Sequence, residues 1–250
     1  MYRPIAFSTL AAALGSAALF VAASGSEARA PGGNDLDDGI PITAGWQPAG
    51  PFNGLIAAGP DTVRFETGPA GQVRAEGEPR ALERLRFLVE NGNLIVGRRS
   101  SRDNEPRVPA AVIHVTGPRI SAATMAGSGA MRVDRLSGNA VRATLAGSGT
   151  MAIAALDTRD VSASVAGSGA LALSGRTKTA KIVVAGSGRF DGNAFETGSA
   201  STVVTGAGST RFRSNGPVSV TITGSGTVAV TGGAQCTLHK IGSGTLRCGG

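Results

Sequence analysis

The sequence predicts an all-β, single-domain parallel β-helix, a β-solenoid of 18–20-residue coils turned at Gly-Ser-Gly corners. The first supporting observation is a repeat. The tripeptide occurs at Gly127-Ser128-Gly129, Gly147-Ser148-Gly149, Gly167-Ser168-Gly169, Gly186-Ser187-Gly188, Gly224-Ser225-Gly226 and Gly242-Ser243-Gly244. Gly206-Ala207-Gly208 fills the one gap, and successive first glycines lie 20, 20, 19, 20, 18 and 18 residues apart. The second observation is phase. Apolar residues stand two before the corner (Met125, Leu145, Val165, Val184, Val204, Ile222) and four after it (Met131, Met151, Leu171, Phe190, Val228, Leu246), alternating with polar ones. That is the period-2 signature of strands with one buried face. The third is composition: 38 glycines in 250 residues with 4% aromatic and 16% charged residues disfavour long helices. Mean hydropathy of +0.09 is too apolar for a disordered chain.

Each coil can bury its apolar stripe only against the next coil, which is the logic of a solenoid. Parallel pairing at about 4.8 Å per coil makes seven coils a rod of roughly 34 Å. A glycine at each corner permits a positive φ without a Cβ clash, and the serine hydroxyls can bond neighbouring backbone groups or one another. No helical pattern follows any copy, so a phosphate-cradling loop is not expected.

In chain order, Arg3, the apolar run Ile5 to Ala23 and the Ala28-Arg29-Ala30 pattern predict a signal peptide over 1–30. Alanine and serine dilute its hydrophobicity and no basic stop-transfer cluster follows, favouring cleavage over an anchor. Export to the periplasm or cell surface is the expectation, with no transmembrane segment in the mature chain. Loss of Arg3, Glu27 and Arg29 leaves 22 basic and 16 acidic residues, a net +6. Residues 31–50, rich in proline, glycine and aspartate, read as a disordered linker, with Trp46 docking on the first coil. Residues 51–250 form the solenoid: irregular N-terminal coils and a cap over 51–118, regular coils over 119–250. Within the first part, Asn91-Gly92 before Leu94-Ile95-Val96 predicts a hairpin. Second bends fall near Ser137-Gly138-Asn139, Asp157–Asp160, Ser174-Gly175, Gly192-Asn193 and Asn215-Gly216-Pro217, with Leu136, Leu156 and Phe195 filling their inside.

Cys236 and Cys248 lie six residues before and six after Gly242, both at inward positions of the last coil. In an exported chain they are expected to form a disulfide worth about 3 kcal/mol on the loop-entropy model. The alternative is two buried free thiols.

Chemistry is sparsely signalled. No metal or cofactor is expected, because only His239 stands near the cysteines and tetrahedral zinc needs four ligands. Neither His114 nor His239 has a nucleophile at a motif spacing. Asp134, Asp157, Asp160 and Asp191 occupy different phases of the repeat among Arg135, Arg159 and Arg176, the pattern of solvated ion pairs. Arg98, Arg99, Arg102 and Arg107 read as a solvated loop, and nucleic acid is not expected without an aromatic stacking platform. The expected binding surface is a flat outward face carrying Thr144, Ala146, Ser162, Ser164, Thr205, Thr221 and Thr223. Its partner would be an extended one, an envelope polysaccharide or a surface protein. The expected function is therefore a non-catalytic binding or scaffold module of the envelope. Two alternatives stand beside it: a β-helical polysaccharide-processing enzyme using Asp134, Asp157 or Asp191, and an ice- or crystal-surface binder using threonine rows.

The Ala-Gly-Ser-Gly copies, preceded by Phe52-Asn53-Gly54-Leu55 and by Val89-Glu90-Asn91-Gly92-Asn93-Leu94-Ile95-Val96, resemble the auto-transporter adhesin head (GIN) domain family over about Phe52 to Gly244. The resemblance implies an exported bacterial β-helical domain with a surface-binding role and supplies no catalytic residues. No C-terminal membrane barrel is seen up to Gly250, so self-translocation is not expected.

Overall fold

The computed structural model describes residues 36–99 and 108–249. The expected signal peptide, residues 31–35 of the expected linker, and Arg102 and Arg107 lie outside the described residues.

The regular part is a parallel β-solenoid. Its strands are β9 (Ala122–Gly127), β10 (Ala130–Val133), β11 (Leu136–Gly147), β12 (Thr150–Ile153), β13 (Leu156–Gly167), β14 (Ala170–Gly186) and β15 (Arg189–Gly206). They continue as β16 (Ser209–Ser214), β17 (Pro217–Gly224), β18 (Thr227–Thr231), β19 (Gln235–Ile241) and β20 (Thr245–Cys248). One stack holds the segments that lead into the corners, pairing residue for residue from β9 through β11, β13, β14, β15 and β17 to β19. A second holds the segments that leave them, from β10 through β12 and the starts of β14 and β15 to β16, β18 and β20. The beginnings of β11 and β13 and the middles of β14 and β15 form a third, shorter stack.

The corners stand in one column. The first glycines, Gly127 to Gly242, have φ of 106 to 125°. The six from Gly127 to Gly224 accept backbone N–H groups from the next coil, as in Ser148 and Gly149 to the Gly127 carbonyl at 3.1 and 3.0 Å. The serines carry less of the load. Among the described residues a Ser–Ser hydroxyl contact along the column is found at Ser225–Ser243, 3.1 Å.

Inside, the apolar positions fuse into one core running from Ile42 to Val230. Leu136 and Phe195 are fully buried at the second bends and Leu156 nearly so. Two threonines interrupt its apolar columns. Thr202 stacks between Ile182 and Val220, and Thr210 between Phe190 and Val228. Both are buried and neither hydroxyl has a partner. A buried unbonded hydroxyl costs its desolvation penalty, so isosteric Thr202→Val should stabilise the protein by about 1 kcal/mol. A urea midpoint that does not rise would mean the hydroxyl is satisfied.

The N-terminal region departs from simple sequential winding. Its elements are β1 (Ile40–Pro41), β2 (Gln47–Pro48), β3 (Gly54–Ala58), β4 (Thr62–Thr67), β5 (Gln72–Glu76), α1 (Pro79–Leu82), β6 (Leu85–Glu90), β7 (Asn93–Arg98) and β8 (Val112–Gly117). β3 and β4 make a coil whose corner is Gly59-Pro60-Asp61, and Gly129 N–H bonds the Gly59 carbonyl at 3.0 Å. That coil is not terminal. β3 lies between β7 and β9, and β4 between β8 and β10, so the later strands β7 and β8 lie outside the earlier β3 and β4. Antiparallel strands then close the end: β6 on β7, joined through Asn91-Gly92 with φ of 49 and 75°, and β5 on β8.

The expected linker is corrected here. Leu36, Ile42 and Ala49 are buried, β1 pairs with β6, and β2 pairs with β5. Its prolines have a structural use: Pro41 and Pro48 sit in two-residue edge strands, where a missing N–H discourages further strand addition. Trp46 is half exposed, with the Arg74 guanidinium 5.0 Å from its ring centroid.

Candidate functional site

A groove of about 820 Å³ runs along the solenoid axis from Ser121 to Thr237. Its cause is local. Approaching each corner, residues two, four and six before the first glycine turn inward, and those five and seven before it face out. The chain bends at the sixth, which brings the flanking outward positions into facing walls.

Threonines at the preceding bend hold this shape. Thr158 Oγ1 donates to the Asn139 carbonyl one coil below and to the Asp160 carbonyl two residues on, at 3.1 and 2.9 Å. Thr177 and Thr197 repeat the device one and two coils later, donating to Arg159 and Thr179, and to Lys178 and Ser199. Each hydroxyl therefore ties a bend to its neighbour and fixes the following wall residue.

One wall is the register column Arg142, Ser162, Lys181, Ser201, Ser219, Thr237. The other is Ala140, Asp160, Thr179, Ser199, Pro217, Gln235. The floor follows Val141, Val161, Ala180, Ala200 and Val218, which are 8% exposed or less. Six coil steps give the groove a length of about 29 Å. Thr179 Oγ1 donates to Asp160 Oδ1, and no carboxylate forms an ion pair with Arg142 or Lys181 among the described residues.

The residues expected to form one flat binding face fall into three columns. Ser162 belongs to the groove wall. Thr144, Ser164 and Thr221 share the next outward column, where Val183 and Val203 separate them. Thr205 and Thr223 are neighbours in a further column that also holds Ala146, Ala166, Ala185 and, by register, Ile241. Continuous threonine rows of the kind an ice-facing surface needs are thus interrupted. The groove itself was missed, although Arg142, Ser162 and Lys181 share one offset from their corners.

Cys236 and Cys248 are bonded, with Cα atoms 6.3 Å apart. Cys236 continues the groove floor and is half-buried. Cys248, expected to be inward, is exposed: among the described residues no coil covers β20. The bond ties β19 to β20 across that open end.

The structure does not gather the acidic residues. Asp134 accepts the Thr67 N–H at 2.7 Å, Asp157 registers with Arg176, and Asp191 accepts the Asn193 N–H at 3.1 Å. No three His, Cys, Asp or Glu side chains among the described residues are placed to hold a metal ion. His114 lies 3.6 Å from Glu76. The Arg74 guanidinium, by hydrogen bond and charge, holds the exposed Glu76 carboxyl below the usual carboxylate range, with His114 a smaller influence. Arg98 is no loop cation: it is half-buried and paired with Asp61.

Comparisons agree with this architecture. Residues 51–234 match the family described as "Putative auto-transporter adhesin, head GIN domain". No curated protein matches significantly. The crystal structure of a "putative adhesin" from Bacteroides fragilis has a TM-score of 0.73 at 16% identity, covering 81% of this chain and 94% of that one. A "putative adhesin" from Parabacteroides merdae scores 0.64 at 16% identity, covering 82% and 94%. A "putative lipid binding protein" from Parabacteroides distasonis scores 0.63 at 18% identity, covering 81% and 94%. At such identities the likeness is one of fold. With the family model spanning most of the sequence and the stacked corners in place, the chain belongs to the auto-transporter adhesin head GIN domain family.

Proposed function

We propose that the protein is an exported, non-catalytic, adhesin-like binding module that holds an extended polysaccharide of the cell envelope in the axial groove. The observation that carries this reading is the groove's register. Each coil presents the same two wall positions at a spacing of about 4.8 Å. An extended 1,4-linked pyranose chain advances by nearly that distance per sugar, so successive sugars meet successive rungs. The walls offer the hydroxyls of Ser162, Thr179, Ser199, Ser201, Ser219 and Thr237, suited to many weak hydrogen bonds along a polymer. The Cys236–Cys248 bond suits an oxidising, extracytoplasmic setting.

The test places an indole in the groove. Ser201 is exposed at mid-wall, and Ser201→Trp should reduce retention on envelope polysaccharide by about tenfold or more. Thr223→Trp, also exposed but outside the groove, should leave retention unchanged. The reverse pattern would move the site to the flat outward face, and retention unaffected by either variant would reject the reading.

A further inference from the structure

We infer that the groove selects an acidic polysaccharide, with Arg142 and Lys181 as the residues that meet its carboxylates. This rests on the groove reading above and names its ligand class. Both cations stand in one wall column, two coils apart with Ser162 between them. Their spacing along the axis is therefore about 10 Å, two sugar steps of an extended chain. Both are exposed, and neither has a carboxylate partner among the described residues. A cation with no internal partner, lining a concave surface, is available to a ligand and raises the local concentration of anions. The one acid in the groove, Asp160, stands on the opposite wall and is engaged by the Thr179 hydroxyl. It leaves the charged half of the groove with a net positive charge and sets the side on which ligand carboxylates lie. Beyond Lys181 the walls are neutral, from Ser199 and Ser201 to Gln235 and Thr237. A chain in the groove therefore meets charge at one end and hydroxyls at the other.

The experiment compares two hexamers with the same linkage, β-1,4-mannuronate and β-1,4-mannose, by titration calorimetry on the purified protein. The uronate should bind about tenfold tighter or more, and raised salt should erode the difference. Arg142→Ala/Lys181→Ala should abolish the preference, and Asp160→Asn should strengthen uronate binding. Arg64→Ala/Arg132→Ala removes two charges from neighbouring exposed positions of the second stack and should change nothing, which separates the groove from overall charge. Equal affinity for the two hexamers, or no effect of the groove pair, would overturn the inference. If Ser201→Trp still blocked both sugars, the groove reading would survive that failure. Binding of neither hexamer would overturn both. Preferential binding of phosphatidylglycerol vesicles that depends on Arg142 and Lys181 would make the site one for lipid headgroups and overturn the inference as well.

Discussion

Gly167→Ala should destabilise the protein by about 3 kcal/mol or more, a large part of a typical domain's stability. Two effects act together at this corner. The φ of Gly167 is 112°, a backbone conformation that side-chain-bearing residues rarely adopt. A Cβ there would also lie 2.5 Å from the Gly147 carbonyl oxygen, the acceptor that holds the Ser168 and Gly169 N–H groups at 3.0 Å. Relieving the clash means lifting one coil off another, so strain and lost hydrogen bonds add. Gly138 separates the two effects. Its φ is 142°, but a Cβ would find nothing closer than 3.7 Å, so Gly138→Ala should cost only about 1 kcal/mol. Ser168→Ala, at an exposed corner position, should fall within about 0.5 kcal/mol of the parent. Urea denaturation of the three variants should rank them in that order. A Gly167→Ala protein as stable as Ser168→Ala would mean the corners are not held by glycine.

The corners were legible because their constraint is local: the φ each glycine needs and the alternation on both sides are written within one coil. The same holds for the Asn91-Gly92 hairpin, where two adjacent residues suffice for the turn. The order of the first coils was not legible. The unbroken apolar runs Leu55 to Ala57 and Leu94 to Val96 say that both strands are buried, but not which strand lies alongside. Both segments satisfy the same pattern, yet β3 goes inside β7. Residues 36–50 were misread because proline and glycine serve edge strands as readily as linkers. The groove was hidden for a third reason. It depends on a bend held by Thr158, Thr177 and Thr197, whose spacings of 19 and 20 residues match the corner repeat. Threonine so spaced reads equally well as an outward row, and only the bonds its hydroxyls make distinguish a staple from a surface.

Asp61→Ala should be the most damaging side-chain truncation outside the Gly-Ser-Gly column, costing about 3–5 kcal/mol. Asp61 is 3% exposed and ends the Gly59-Pro60-Asp61 corner. Its two oxygens accept Arg98 Nε at 2.7 Å and Nη2 at 2.6 Å, and Oδ1 also takes the Ala111 N–H at 2.7 Å. Arg98 in turn donates to the carbonyls of Pro109 and Val108, at 2.7 and 3.3 Å. The pair thus joins the corner of one coil to the end of β7 and to the start of β8, where the out-of-order coil must be held in place. Removing the acid leaves a guanidinium with 10% side-chain exposure and no counter-charge, and much of the loss is that stranded charge rather than the bond itself. Asp61→Asn keeps an acceptor for Ala111 and should cost less. Asp61→Leu/Arg98→Met, which removes both charges, should recover most of the stability, because an apolar pair has no buried charge to compensate. A double-mutant cycle by urea denaturation measures the coupling. Asp61→Ala within about 1 kcal/mol of the parent would show that the displaced coil is held by its apolar core and strand pairing alone.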